Sequence, residues 1–228
     1  MLAFGDSITN GGGELQWGVA LQSWALWTAR GLGAPYSPYA VDGATVDDVV
    51  NRQIPLFERA ASPTARYSLG CLYIGTNDLR LPEFDLHHYE QLHDQALGFL
   101  RERCDHLLAL TIPLDMGRPR DRVLIELTNA AIERSAAGYD AAVLDLRRFG
   151  GRGVMMPDHV HPTALGQVAI AERALALLAT MGLATKVRPA ELSPHETTRR
   201  GRLRGDLTYA YRHVKQDVRL LIAHGRYR

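Results

Sequence analysis

Two short stretches, far apart in the chain, carry residue types that together could perform acyl transfer. Gly5-Asp6-Ser7-Ile8-Thr9 offers a hydroxyl, and Asp158-His159-Val160-His161-Pro162 offers imidazoles and a carboxylate. A serine hydroxyl is a weak nucleophile until a base takes its proton during attack. A carboxylate beside the base fixes the imidazole tautomer and stabilises its charged form. Asp158 and His161 are close enough in sequence for one turn to hold both. Ser7 follows Met1-Leu2-Ala3-Phe4, an apolar run that reads as a buried strand, and Gly5 permits a tight exit. The hydroxyl then sits at the carboxyl end of a strand, where open α/β sheets place their ligands.

Two further segments could stabilise the charge that such an attack creates. Gly75-Thr76-Asn77-Asp78 follows another apolar run. An asparagine there can offer an uncharged side-chain N–H to a developing oxyanion, which a carboxylate cannot. Taken alone the segment is an Asx turn. Asp42-Gly43-Ala44 supplies a glycine whose backbone can approach a ligand closely and present its N–H. Taken alone it too is a turn. His159 and His161 compete for the role of base.

The elements that must position these residues follow from periodicity. Five apolar runs, near 2–4, 39–41, 69–74, 107–112 and 141–146, alternate with helix-like stretches at 15–32, 45–61, 86–103, 121–137 and 162–181. Asp85 suits the N-cap of the third helix, Thr163 or Pro162 the start of the last, and Gly138 the end of the fourth. This alternation predicts a parallel sheet between helices. Right-handed crossovers then gather Ser7, Gly43, 75–78 and the 114–120 loop at one sheet edge. Trp17, Trp24 and Trp27 read as core of the first helix. Met155 and Met156 read either as core or as lining of an acyl pocket.

In four blocks taken in order, the chain resembles the SGNH hydrolases, also called the GDSL esterase/lipase family. The blocks are Gly5-Asp6-Ser7-Ile8-Thr9, Gly43, Gly75-Thr76-Asn77-Asp78 and Asp158-His159-Val160-His161-Pro162, and they span roughly Met1–Leu183. The resemblance implies Ser7 as nucleophile, His161 as general base and Asp158 as the residue that orients it. It implies an oxyanion hole formed by the Ser7 and Gly43 backbone N–H groups and the Asn77 side-chain amide. Between the two histidines, the three-residue spacing from Asp158 and the Pro162 that follows select His161. His159 is left as a structural or pocket-lining residue. The implied fold is a flavodoxin-like three-layer α/β/α sandwich with a five-stranded parallel sheet, with no metal and no organic cofactor.

Composition narrows the remaining classes. At 228 residues the chain suits one α/β domain, and 46% hydrophobic against 22% charged residues is an ordinary globular balance. A net charge of +1 gives no whole-protein case for nucleic acid. Cys71 and Cys104 read as buried reduced thiols rather than a disulfide framework. No stretch reads as a signal peptide or a membrane span, which sets a cytoplasmic expectation. Gly11-Gly12-Gly13 lacks the lysine-serine ending of a phosphate-binding loop. The histidines His87, His88 and His93 lack acids at metal-chelating spacing.

The expected function is hydrolysis of a small or medium carboxylic ester, acyl or acetyl, through an acyl-serine intermediate. One alternative is an acyltransferase using the same intermediate; a second is a non-catalytic flavodoxin-like binding module. The expected catalytic domain is 1–185. Residues 186–228 form a basic appendage, with a linker over 187–205 and then Leu207, Tyr211, Val214, Val218 and Leu221 at alternating gaps of four and three behind Asp206 as N-cap. That is the stripe of an amphipathic helix. Its expected resting place is protein, either its own domain or a second subunit. An anionic membrane surface ranks behind these.

Overall fold

A computed structural model of the chain describes residues 1–12, 21–115, 121–151, 153–156, 158, 160–193, 198–200, 203–204, 206–208, 210–211, 214–215 and 218. Five parallel strands form one sheet: β1 Leu2–Gly5, β2 Ser37–Pro38, β3 Tyr67–Tyr73, β4 Cys104–Leu110 and β5 Ala142–Leu144, in the order β2-β1-β3-β4-β5. This is a flavodoxin-like order, in keeping with the five-stranded parallel fold that the resemblance implies. Its switch point lies between β1 and β3, so the loops leaving those strands diverge and open a crevice at the carboxyl edge.

Both sheet faces are buried, which is why the strands read as continuous apolar runs rather than alternating ones. Ala3, Leu69, Cys71, Tyr73, Leu108 and Leu110 face one core, completed by α2 (Trp24–Leu32) and α7 (Ala164–Thr180). Leu2, Phe4, Leu72, Ile74, Leu107 and Ala109 face the other, completed by α4 (Ile54–Ala60), α5 (Leu86–Arg103) and α6 (Arg122–Gly138). Trp24, Trp27 and Met155 belong to the first core; Trp17 lies outside the described residues. Cys71 and Cys104 are free and buried.

The helix starts obey local chemistry. Asp85 accepts from the N–H groups of His87 and His88, Asp121 from Val123 and Leu124, and Thr163 from Gly166, each satisfying first-turn donors. Several boundaries differ from expectation. The first long helix begins at Trp24, because Ser23 is extended and its side chain accepts from the Leu26 N–H; of the stretch expected to precede it, residues 15–20 lie outside the described residues. Strands β3 and β4 start two or three residues early, at Tyr67 and Cys104, where their polar ends carry no apolar signal.

β2 differs as well: it ends at Pro38 although 39–41 was the expected strand. Tyr39 and Val41 do lie along β1 and donate to the carbonyls of Ala3 and Gly5 at 3.0 and 3.1 Å. The reciprocal bond is missing because Gln53 takes it: Gln53 Oε1 accepts the Gly5 N–H at 3.0 Å, and Gln53 Nε2 donates to the Gly5 carbonyl at 2.8 Å. Gln53 ends a π-helical turn, Val49–Gln53, between α3 (Val46–Asp48) and α4. Pro55 explains the widening, since it has no N–H to offer the Asn51 carbonyl four residues back.

Beyond α7 the chain stays docked for longer than the expected boundary at 185. The N–H groups of Lys186 and Val187 donate to the Gly31 carbonyl at 2.8 and 3.3 Å. Glu172 receives the Ala190 N–H and the Arg188 guanidinium, fixing α8 (Pro189–Leu192) beside α7. The first part of the expected linker is therefore a strap across α2 and α7. The described tail residues from Arg199 to Val218 are helical, Asp206 among them, so Asp206 is not an N-cap. Leu203, Leu207, Tyr211, Val214 and Val218 are 47–67% exposed. Among the described residues, the stripe stands exposed and is not packed on its own domain.

Candidate functional site

Gly5 sets the geometry of the site. Its φ is +151°, and an added Cβ would run into the Tyr73 carbonyl oxygen, so only glycine lets β1 turn this sharply beside β3. Asp6 then caps the four-residue helix α1, Ser7–Asn10, accepting the Ile8 N–H at 2.9 Å. Ser7 is the first residue of α1, so its own N–H is one of the donors that a helix start leaves without an intrahelical acceptor.

Two buried glutamines grip this turn from opposite sides. Gln53 holds Gly5 as described above. Gln167, on α7, accepts the Trp24 N–H at 2.7 Å and donates to the carbonyls of Ile8 and Gly12 at 3.1 and 3.3 Å. Neither was picked out from the sequence. The only available signal was a glutamine on the apolar face of each helix; which backbone group it serves is decided by tertiary closure.

The second stretch folds into a turn that bonds to itself. Asp158 Oδ1 accepts the N–H groups of Val160 and His161 at 2.9 and 3.0 Å, and Oδ2 lies 2.6 Å from His161 Nδ1. The His161 carbonyl accepts from the Met156 N–H at 2.8 Å, and Met155 and Pro162 form a bridge. Thr163 anchors the exit, its hydroxyl donating to the Gly153 carbonyl at 2.7 Å. Gly166 lies so close to the Val154 carbonyl that a Cβ would collide with it, which seats α7 directly under the turn. His159 lies outside the described residues.

The two stretches meet where Ser7 Oγ stands 2.9 Å from His161 Nε2. The tautomer follows from the partners. An ionised Asp158 can only accept, so Nδ1 carries the proton and Nε2 keeps a lone pair for the Ser7 hydroxyl. The Asp158 bond raises the His161 pKa above its ordinary value, against the opposing effect of burial. Burial pushes Asp158 up, but the hydrogen bonds from the His161 ring and from the His161 and Val160 N–H groups outweigh it and hold the carboxyl below its ordinary value.

The remaining expected residues converge on the same edge. Gly43 has φ +77°, in a turn closed by the Ala44 N–H donating to the Val41 carbonyl at 3.2 Å, and it faces open space. Asn77 donates one side-chain N–H to the Ala44 carbonyl at 3.0 Å, which orients its amide and leaves a second N–H on the same nitrogen. Asp42 accepts from Asn10 of α1 at 2.9 Å, and Asp78 accepts the Val46 N–H at 2.9 Å. These bonds lace the loops after β1, β2 and β3 into one rim. Of the loop after β4, residues 116–120 lie outside the described residues.

Two buried acids support the rim without being ordinary ion-pair partners. Burial pushes the Asp6 carboxyl up to about 7, against the Ile8 N–H that favours its charge. Burial likewise raises Asp78 to about 6. His93 and His88 stand elsewhere. His93 is buried, contacts Ser135 Oγ at 3.1 Å and is pushed down to about 4 by burial. His88 Nε2 stands 3.2 Å from both oxygens of Asp47 at the surface. Among the described residues, no three His, Cys, Asp or Glu side chains are grouped to hold a metal ion, and no helix is long and apolar enough to cross a membrane.

Comparison with known proteins bears on the fold and the family. The chain is similar in structure to LAE5, an α/β hydrolase from the metagenome of Lake Arreo, Spain, with 20% identity, 81% of this chain and 95% of that chain covered, and a TM-score of 0.61. It is similar to Axe2, an acetylxylan esterase from Geobacillus stearothermophilus, with 17% identity, 78% and 92% covered, and a TM-score of 0.60. It is also similar to a member of the lipolytic G-D-S-L family from Veillonella parvula DSM 2008, with 20% identity, 78% and 97% covered, and a TM-score of 0.63. No curated protein matches the chain by sequence. The family profile of the GDSL-like lipases/acylhydrolases matches residues 3–169, a span that contains Ser7, Gly43, Asn77, Asp158 and His161. The chain belongs to the GDSL-like lipase/acylhydrolase family and is a hydrolase acting on small-molecule esters.

Proposed function

We propose that the chain is a serine esterase that hydrolyses small or medium carboxylic esters through an acyl-serine at Ser7. The observation that carries this reading is the continuous hydrogen-bond chain from Ser7 Oγ through His161 to Asp158 at the sheet's switch point. Ser7 Oγ attacks the ester carbonyl carbon while His161 Nε2 takes its proton. The carbonyl oxygen becomes an oxyanion, and Asp158 stabilises the imidazolium. His161 then gives the proton to the departing alkoxide, which leaves as the alcohol. Water repeats the sequence on the acyl-serine, releasing the carboxylic acid and restoring Ser7.

The Ser7 and Gly43 N–H groups and the second Asn77 N–H serve as the oxyanion donors in this reading. Asn77→Ala is expected to lower kcat by roughly two to three powers of ten, the usual cost of one such donor. Asn77→Asp is expected to do no better, because it sets negative charge where negative charge develops. Single-turnover rates on 4-nitrophenyl acetate check both. The covalent step has its own test: a fluorophosphonate should add once per chain, at Ser7, as read by intact mass and peptide mapping. An adduct at another serine, or none, would overturn the mechanism.

The tail has no place in this chemistry. We assign the catalytic unit to residues up to the α8 strap and the basic helical tail to self-association, since its stripe follows the four-three spacing of a helix–helix seam and stands exposed. Truncation after Ser193 is expected to leave 4-nitrophenyl acetate hydrolysis in place and to reduce the mass in light scattering. A folded truncation of unchanged mass and no activity would instead put the tail over the active-site mouth.

A further inference from the structure

Ser7 and His161 lie 154 residues apart, and the bond between them cannot hold the pair by itself. The proton crosses that bond in each half of the proposed cycle, and Ser7 Oγ spends part of the cycle as an ester oxygen. The separation must therefore be kept by contacts that the reaction leaves unchanged. One side chain makes such contacts with the nucleophile turn, from the helix that follows His161.

Gln167 is fully buried in the first turn of α7, and its backbone N–H serves the carbonyl of Thr163, two residues after His161, at 2.8 Å. The Gly12 N–H, which would pair with the Ile8 carbonyl if α1 continued, turns back instead to the Ser7 carbonyl. Gln167 Nε2 donates to that Ile8 carbonyl at 3.1 Å and reaches the Gly12 carbonyl at 3.3 Å. Gln167 Oε1 accepts the Trp24 N–H at 2.7 Å, a donor that the start of α2 leaves without an intrahelical acceptor. One neutral amide, with separate donor and acceptor atoms, thus serves the end of α1 and the start of α2. A carboxylate would lack the donor and a lysine the acceptor. Gly12 carries the effect to the reacting atoms. A Cβ there would fall 2.9 Å from the Ser7 carbonyl oxygen, 3.1 Å from Ser7 Cβ and 3.2 Å from His161 Cδ2. The backbone that Gln167 holds therefore lies against both partners at once, and a shift of it alters the gap between them.

We propose that Gln167 is a positioning residue for acyl transfer: by fixing Ile8 and Gly12 to the helix start behind His161, it sets the approach of Ser7 Oγ to His161 Nε2. The proposal rests on the serine-esterase reading for its effect on rate, but the approach itself is readable without turnover. Gln167→Met keeps the length and volume of the side chain and loses all three of its hydrogen bonds. Measured below its melting transition, kcat on 4-nitrophenyl acetate should fall about a hundredfold, as an ångström-scale misplacement can cost. KM should stay within about twofold, because the buried side chain does not reach substrate. With isotopically labelled histidine, at a pH where His161 is neutral, the Nε2 nitrogen resonance should move in the same sense as it does in Ser7→Ala.

Gly12→Ala disturbs the same contact from its other end with Gln167 left in place, so it decides the matter where Gln167→Met does not fold. It should reproduce both effects, the fall in kcat and the moved Nε2 resonance. An Nε2 resonance that stays put in a folded variant overturns the proposal, whatever happens to kcat. Wild-type kcat in a folded Gln167→Met of lower melting temperature would also overturn it, leaving Gln167 a structural brace only. A loss confined to KM would place the effect in substrate binding and overturn it likewise. If Ser7→Ala kept its turnover, the esterase reading would fall, and the Nε2 resonance would still decide whether Gln167 sets the pair.

Discussion

Ser7→Ala is expected to lose at least about four powers of ten in kcat/KM on a small soluble ester, because loss of the nucleophile leaves only the acceleration from the oxyanion donors and binding. The fold should survive. Ser7 does not cap α1; Asp6 does, through the Ile8 N–H. The side chain's recorded bond is to His161 in a half-buried position, and removing a hydroxyl there costs about 1 kcal/mol. The turn remains fixed by Gln53 on Gly5 and Gln167 on Ile8 and Gly12. Melting temperature and kcat/KM measured on the same preparation separate the two effects. Near wild-type turnover in the alanine protein would rule out the covalent path, and loss of folding together with activity would mean that Ser7 is structural.

The residues that do the proposed chemistry were legible because each lies in a short local pattern. Asp158 and His161 share one turn, so their spacing alone brings carboxylate and imidazole together. Ser7 and Asn77 end apolar runs, and the parallel sheet carries both to one edge. What holds them in place was not legible. Gln53 and Gln167 are single polar residues in helices, and their partners lie 48 and up to 159 positions away. Asn129 is similar: it bridges the N–H and carbonyl of Ile112 across α6 and the end of β4.

The errors in element limits have the same origin. β2 could not be placed to the residue because a side chain from the next helical segment, Gln53, takes the bond that would have extended it. The polar beginnings of β3 and β4 are paired by their neighbours and not by their own composition. The strap at 186–193 reads as linker because Pro189 and scattered charges hide a helix that is only one turn long. In each case local propensity was overruled by a partner distant in sequence, and the sequence pattern has no way to name that partner.

His161→Ala is expected to cost about as much as Ser7→Ala, since the two act as one unit and removing either disables attack. His159→Ala is expected to cost far less, and a larger loss there than at His161 would reverse the assignment. The pH dependence gives a sharper readout. The working base is the neutral imidazole, so kcat/KM should fall as pH drops through the His161 pKa of the free enzyme. Asp158 raises that pKa, by its hydrogen bond first and its charge second, so the acid limb should lie above the ordinary imidazole value. Asp158→Asn removes both contributions. The limb should then move to lower pH, even as the plateau falls by about four powers of ten because Nδ1 no longer has an acceptor to fix the tautomer. The two changes have opposite signs at acid pH, and a merely structural Asp158 would not produce that pairing. A lower plateau with an unmoved limb would show that some other group sets the titration. The nearest candidate is Asp6, whose carboxyl burial holds at about 7 and whose charge also acts on His161. Asp6→Asn in the same assay would settle which of the two carboxyls His161 answers to.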